Sequence, residues 1–371
     1  GYIQDLNLVF PIERLSELEA AGDIGSVAKY HYAFMGAMPP TAMQAVAADL
    51  AANLAEDGVD GLIPDMVEML KEKGLAKLDD GAWIIDVARE DDKKEMPPFM
   101  VINSRGGTGY HATDLATIVD RMDTLKPDRM LYVVDQRQAL HFEQVFRAAD
   151  MAGLIGEDRL EHIGFGTVNG TDGKPFKTRE GGVLRLADLN AMALAEAEKK
   201  IGENGLSDEI GEDERARIAA LVARAALRFA DLQNVRTTNY VFDLERFTSF
   251  EGKTGPYLLY AAVRIKSLLR RAKEAGHEPG EVRIESDTER ALVLAMDGFV
   301  NALAQSHAKR QPHILCEHVY SLAQAFSALY AAHPIANESD AGLRGSRLAL
   351  CEAVLKQLEA GLGILGIEAP E

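Results

Sequence analysis

Cysteine is nearly absent from this chain, with 2 among 371 residues, Cys316 and Cys351. Two thiols cannot build a zinc site alone or a disulfide framework, so no zinc is expected and the chain reads as a reduced, cytoplasmic protein. No run of 18 apolar residues occurs, which excludes an ordinary transmembrane helix and a membrane partner. No basic-then-apolar stretch opens the chain, which argues against export. Internal repeats and low-complexity tracts are lacking too. Positive charge is in deficit, with 40 Lys and Arg against 58 Asp and Glu, a net of −18. Such a surface repels phosphate backbones, so indiscriminate coating of nucleic acid is excluded.

What remains is 47% hydrophobic and 26% charged, the balance of a globular chain long enough for two or three domains. The charge is uneven. Residues 251–371 hold 13 Lys and Arg against 15 Asp and Glu, leaving −16 on the first 250. A polyanion would be repelled least by the last third.

Apolar spacing divides the chain into stretches of different character. Residues 12–18 and 41–56 read as helices, separated by Pro39-Pro40 and closed by Asp57-Gly58. Beyond Pro64 come a short helix over 66–73, strands over 82–87 and 99–102, and a helix over 113–122 with Thr113 or a neighbour as cap and Asp114 in its first turn. Residues 130–134, Met-Leu-Tyr-Val-Val, form a continuous apolar run of the kind found in a buried parallel strand. A helix over 138–151 follows. The alternation predicts an open α/β sheet with ligands at the carboxyl ends of its strands. Beyond residue 184, helical spacing covers 184–200, 212–230, 257–274, 288–308, 313–331 and 342–362. Ser286 and Glu289 suit a capping box, and Pro312 suits the first position inside a helix. The last third reads as a helical bundle.

Four segments have the residue types that chemistry needs. The loop Gly170-Thr171-Asp172-Gly173-Lys174-Pro175-Phe176-Lys177-Thr178-Arg179 concentrates three cations. It is either a solvated basic turn or a flap that neutralises a departing phosphate. In Tyr110-His111-Ala112-Thr113-Asp114, Asp114 either caps a helix or holds a guanidinium as a bidentate pair, with Tyr110 flanking the cation. Polar residues follow the strand at Asp135-Gln136-Arg137-Gln138, and Gln138 and His141 lie one helical turn apart. Lastly, Arg264, Lys266, Arg270, Arg271 and Lys273 give one helix a basic side, either solvated or a phosphate contact strip. The nearby Gly252-Lys253-Thr254 lacks the glycine spacing of a P-loop.

Taken in order, residues 64–371 resemble the C-terminal half of arginyl-tRNA synthetase, a class I aminoacyl-tRNA synthetase. The match is carried by Gly81-Ala82-Trp83, residues 110–116, 135–141, 173–179, 236–243 and 255–260, and the ending Gly366-Ile367-Glu368. The resemblance implies an incomplete Rossmann-like α/β nucleotide-binding half over 64–250 and an all-α anticodon-binding bundle over 251–371. It implies arginine contacts for Tyr110, Asp114 and Gln138, and an ATP contact on the adenosine side for His141. Lys174 and Lys177 occupy the lysine positions of the K-M-S-K-S loop, which stabilises pyrophosphate as arginine is adenylated. Arg264, Arg270 and Arg271 become tRNA contacts. The implied substrates are arginine, ATP with magnesium, and tRNA(Arg), with no resident metal.

Two departures matter. The other class I signature, H-I-G-H, has no match, since no H-x-G-H occurs in the chain. The family's N-terminal tRNA-elbow domain is likewise expected to be missing. Residues 1–63 are instead similar to a fragment of the glycine/sarcosine/betaine reductase selenoprotein B family, on residues 8–15, 25–27, 31–36 and 57–60, without its redox cysteine or selenocysteine. One lost electrostatic contact to a reacting phosphate costs about 3–4 kcal/mol, or 10²–10³ in rate. Arginine–tRNA ligation is therefore expected to be impaired unless a second chain supplies the absent half. The alternatives are an inactive tRNA-binding module and a rearranged fragment.

Overall fold

The computed structural model describes residues 59–170, 186–203 and 211–370. The helices and the Pro39-Pro40 break expected before residue 58 lie outside them. The chain divides into two compact units between Phe165 and Gly166.

In the first unit, Pro64 stands in the opening turn of helix α1 (Ile63–Glu72), where a missing N–H has no partner to lose. Ile63, Met66, Val67 and Leu70 bury one face of it. Strands β1 (Lys77–Asp79) and β2 (Ala82–Ile85) form a hairpin. Its two-residue turn, Asp80-Gly81, has φ of 43° and 81°, the left-handed pair that matches strand twist and favours glycine second. Strand β3 (Phe99–Ile102) returns antiparallel to β2. Helix α2 (Tyr110–Thr124), strand β4 (Met130–Asp135), a 3-10 turn (Gln136–Gln138), helix α3 (Ala139–Met151) and strand β5 (Leu160–Phe165) complete the unit. All six residues of β4 pair in parallel with β5.

Strand–helix–strand alternation thus holds from β3 through α2, β4 and α3 to β5, but only β4 and β5 pair in parallel across their helix. The described strands of this unit form a three-stranded antiparallel meander and a separate parallel pair, rather than one open sheet. The reason is the link from β2 to β3. It contains no helix, and a parallel return needs a crossover, usually helical. The strand expected to reach residue 87 stops at Ile85. Val87 is buried, but its carbonyl accepts from Arg147 Nη1 at 3.0 Å instead of a strand. Nor is β4 buried on both faces: Met130, Tyr132 and Val134 point inward, while Val133 is 47% exposed. Fully buried Leu70, Ile85, Phe99, Leu115, Ile118, Tyr132 and Phe142 make the core.

The second unit is mainly helical, apart from a two-residue parallel pairing of β6 (Val168–Asn169) with β7 (Tyr240–Val241). Helices α4 (Leu186–Glu203) and α5 (Glu212–Leu232) pack together and bury alanines. Glu212, Asp213 and Glu214 open α5, where negative charge suits the helix dipole. A short helix α6 (Leu244–Phe247) is capped by Asp243. Helix α7 (Gly255–Glu274) is capped by Thr254, whose hydroxyl accepts from Tyr257 N at 3.2 Å. Only glycine fits at its first residue, because a Cβ on Gly255 would lie 2.1 Å from the Ala225 carbonyl oxygen.

The single helix expected over 288–308 is two, α8 (Asp287–Asp297) and α9 (Phe299–Lys309), meeting at Gly298. Gly298 N–H bonds the Ala295 carbonyl, a tightened turn that interrupts the α-helical ladder. The capping box of Ser286 and Glu289 is present in full. Pro312 caps α10 (His313–Ala332) from just outside rather than standing within it. Helix α11 (Ala341–Ile364) closes the bundle. Cys316 and Cys351 are free and fully buried, and burial pushes both thiols up to about 12. Neither is a nucleophile at neutral pH.

Candidate functional site

Helices α2 and α3 pack together, and their polar residues meet at the amino end of α3. The local sequence explains how each arrives. Asn103 Oδ1 accepts from the backbone N–H of Arg105 and Gly107, which folds the link after β3 into a tight turn. Helix α2 then begins at Tyr110 with Gly109 as its cap, three residues before the expected start. Thr113 is therefore not the cap; its hydroxyl donates weakly to the Gly109 carbonyl at 3.4 Å. Asp114 lies beyond the first turn, so it no longer serves the helix end. Its carboxylate turns toward α3 instead.

At the other wall, Asp135 ends β4 and caps the 3-10 turn by accepting from Arg137 N at 2.8 Å. The Arg137 guanidinium also grips this carboxylate, at 2.6 and 3.0 Å, and holds it below the usual carboxylate range. Gly164 of β5 approaches the turn so closely that a Cβ would lie 2.9 Å from Gln136 Cα. The turn delivers Gln138, half-buried, to the start of α3, and His141 follows in the first helical turn.

His141 Nε2 donates to Asp114 Oδ2 at 2.5 Å. The two side chains are 21% and 17% exposed, so the pair is screened but reachable from solvent. The imidazole ring of His141 stands edge-on to Phe142 and, at 4.5 Å between centroids, to His111. His111 Nε2 meets Gln144 Oε1 at 3.2 Å. Burial pushes His111 below its ordinary range, so it is neutral at neutral pH. Below lie Tyr132, Phe142 and Phe146, with Phe142 stacked on His162. Burial raises the Tyr132 hydroxyl to about 12, which keeps it protonated.

The expected site residues divide accordingly. Asp114 and His141 come together directly. Tyr110 opens α2 and is 80% exposed. No side-chain hydrogen bond joins Tyr110 or Gln138 to that pair among the described residues. Lys174 and Lys177 lie outside the described residues. His111 and Gln144 escaped the sequence reading. Their signal was spacing, since His111 stands three residues before Asp114 and Gln144 three after His141, one helical turn in each case. The contacts they make are with each other and, from His111, with the His141 ring.

The basic strip of α7 is not one side. At 100° per residue, Arg264 and Arg271 share one flank of the helix, and Lys266, Arg270 and Lys273 share the other. Arg264 lies over the Tyr260 and Tyr330 rings at 4.4 and 5.1 Å and donates to the Tyr260 hydroxyl at 2.6 Å. Lys266 is paired inside the unit, with Glu359 and the Pro370 carbonyl, both at 2.9 Å. Arg270 and Arg271 are exposed.

Known proteins align with this arrangement. The family model for the catalytic domain of class I tRNA synthetases (R) matches residues 41–244, beginning inside the segment read as having a different origin. The DALR anticodon binding domain matches 258–371. The arginine–tRNA ligase of Hyphomonas neptunium is 69% identical over 318 residues, covering 85% of this chain and 54% of that protein. The Maricaulis maris ligase is 56% identical with the same coverage. The chain spans about half the length of the curated relatives it matches. The fold is shared with Thermus thermophilus arginyl-tRNA synthetase, at a TM-score of 0.75 and 24% identity over 96% of this chain and 67% of that one. It is shared as well with the Plasmodium falciparum arginyl-tRNA synthetase, at 0.69 and 22%, over 84% and 52%. A Rossmann-like α/β part followed by a helical anticodon domain, matched by the catalytic-domain model over more than half of the 371 residues, means that the chain belongs to the arginine branch of the class I tRNA synthetases.

Proposed function

We propose that this chain holds the guanidinium of arginine at Asp114 and takes part in the ATP-dependent ligation of arginine to tRNA(Arg). The observation that carries this is the Asp114 carboxylate. It is released from helix capping, anchored through Oδ2 by His141, and left with Oδ1 unbonded among the described residues. A guanidinium presents a planar fork of donors, and a carboxylate held on one side is ready for it. Tyr110 flanks the incoming cation, and Gln138 lines the same helix start. His141 links that carboxylate to the adenosine side of the site. Lys174 and Lys177 would neutralise the pyrophosphate, with magnesium arriving on the ATP phosphates. We assign 64–250 to the catalytic domain and 251–371 to anticodon recognition, with Arg264, Arg270 and Arg271 toward tRNA. The two family matches on either side of residue 250 support that division.

A second reading, a module that binds tRNA without adenylating arginine, rests on one observation: the anticodon-domain match covers 258–371, a stretch separate from the catalytic-domain match. Arginine-dependent exchange of pyrophosphate with ATP, measured with tRNA(Arg) present, separates the two. Exchange by this chain, or by this chain with a second one supplying H-I-G-H, supports the ligase. A tRNA gel shift without exchange supports the module. A folded chain with neither signal defeats both. Asp114→Asn should weaken arginine binding about tenfold or more by calorimetry, because a hydrogen bond to a charged group is lost. Unchanged affinity removes Asp114 from this role.

A further inference from the structure

A chain of contacts runs from the backbone of Pro97 and Pro98 to the Asp114 carboxylate, and every link in it is defined. Gln144 is 5% exposed. Its Nε2 donates to the Pro97 and Pro98 carbonyls at 2.7 and 3.3 Å. Those carbonyls can only accept, so the amide cannot be turned over, and its Oε1 must face His111. That oxygen in turn requires a proton on His111 Nε2, 3.2 Å away, which selects one tautomer. The His111 ring is wedged edge-on between Phe99, at 5.2 Å, and His141, at 4.5 Å. It therefore closes off one side of His141. His141 is left to donate Nε2–H to Asp114 Oδ2.

We infer that Gln144 and His111 are positioning residues, which fix the His141 imidazole so that the Asp114 carboxylate stays oriented for a guanidinium. This rests on the arginine reading of Asp114 for its ligand but not for its geometry. Neither residue touches the cation. Both act by removing the freedom of a ring that touches the carboxylate. A carboxylate backed by a loose imidazole would have to be ordered when arginine binds, and that ordering would weaken affinity.

The test is long-range proton–nitrogen NMR of the imidazoles in the full chain, together with arginine calorimetry. The intact chain should show His111 bearing its proton on Nε2 and His141 with a strongly downfield Nε2–H. Gln144→Met, which keeps volume but loses the amide, should release the His111 tautomer, shift the His141 proton and weaken arginine about fivefold, the loss of one hydrogen bond. His111→Phe, which keeps the ring packing without the donor, should do the same to His141. If Gln144→Met fails to fold, His111→Phe decides alone. The inference is overturned if folded variants leave both the His141 signal and the arginine affinity unchanged. A chain that shows both imidazole signatures yet binds no arginine defeats the arginine reading and upholds the positioning chain.

Discussion

The helical unit and the α/β unit each bury a polar network, and the two networks end differently. In the helical unit, Arg347 is 4% exposed and bonds Glu289 at 2.8 Å and Glu338 at 2.6 Å. Glu289 is fully buried and also accepts from the backbone of Glu285 and Ser286. This network closes on itself between α8 and α11. In the α/β unit, the contacts from Pro97 through Gln144, His111 and His141 stop at a carboxylate with one open oxygen. A closed network stabilises and specifies packing; an open-ended one leaves a group to receive a ligand. Buried polarity marks a site only when its last member is left unsatisfied and within reach of solvent.

The sharpest way to break this contrast is Arg347→Met. It leaves Glu289 as a buried charge without its cation and should cost about 3–5 kcal/mol, measured by chemical denaturation of the helical signal. A loss below about 1 kcal/mol would mean that the closed network is not structural. Next is a second ion-pair cluster of the α/β unit, where Arg147 bonds Asp92 at 2.6 and 2.8 Å and the Val87 carbonyl at 3.0 Å. The Arg147 hydrogen bonds hold Asp92 down at about 2, against an ordinary 3.8. Because the folded value is depressed, the stabilisation is fully present above the unfolded value and is lost as pH falls through about 2. The stability gap between the wild type and Asp92→Asn should therefore be constant near neutrality and close in strong acid. A gap that persists there would place the effect elsewhere. The smallest effect is expected from the open end. Asp114→Asn should change stability by less than about 1 kcal/mol, since the amide still accepts from His141 and the carboxylate is not fully desolvated. A larger loss would make Asp114 a structural residue.

Legibility in the sequence followed the range of the interactions. Helices with apolar spacing, such as α5, α7 and α11, were readable because each repeats a local period along one element. The Ser286–Glu289 capping box was readable for the same reason, as its atoms lie within one turn. Strand β1 was missed although Asp80-Gly81 is a hairpin signal, because Lys77, Leu78 and Asp79 are all exposed and have no apolar alternation. Strand β5 was missed because Glu161 and His162 interrupt its apolar pattern. The joint at Gly298 was blurred because apolar spacing continues across it. The cations of α7 looked like one strip in a list of residues but occupy two flanks once wound at 3.6 per turn.

By itself, the sequence determined the family, the order of α/β before helical bundle, and the residue types from which the candidate site is built. Only the tertiary structure decided that Asp114 would meet His141, 27 positions away, and that His111 would meet Gln144, 33 positions away. The physical reason is that helical period and capping are set within a turn of chain. The facing of two side chains on α2 and α3 is set instead by where α2 begins and by how the two helices pack.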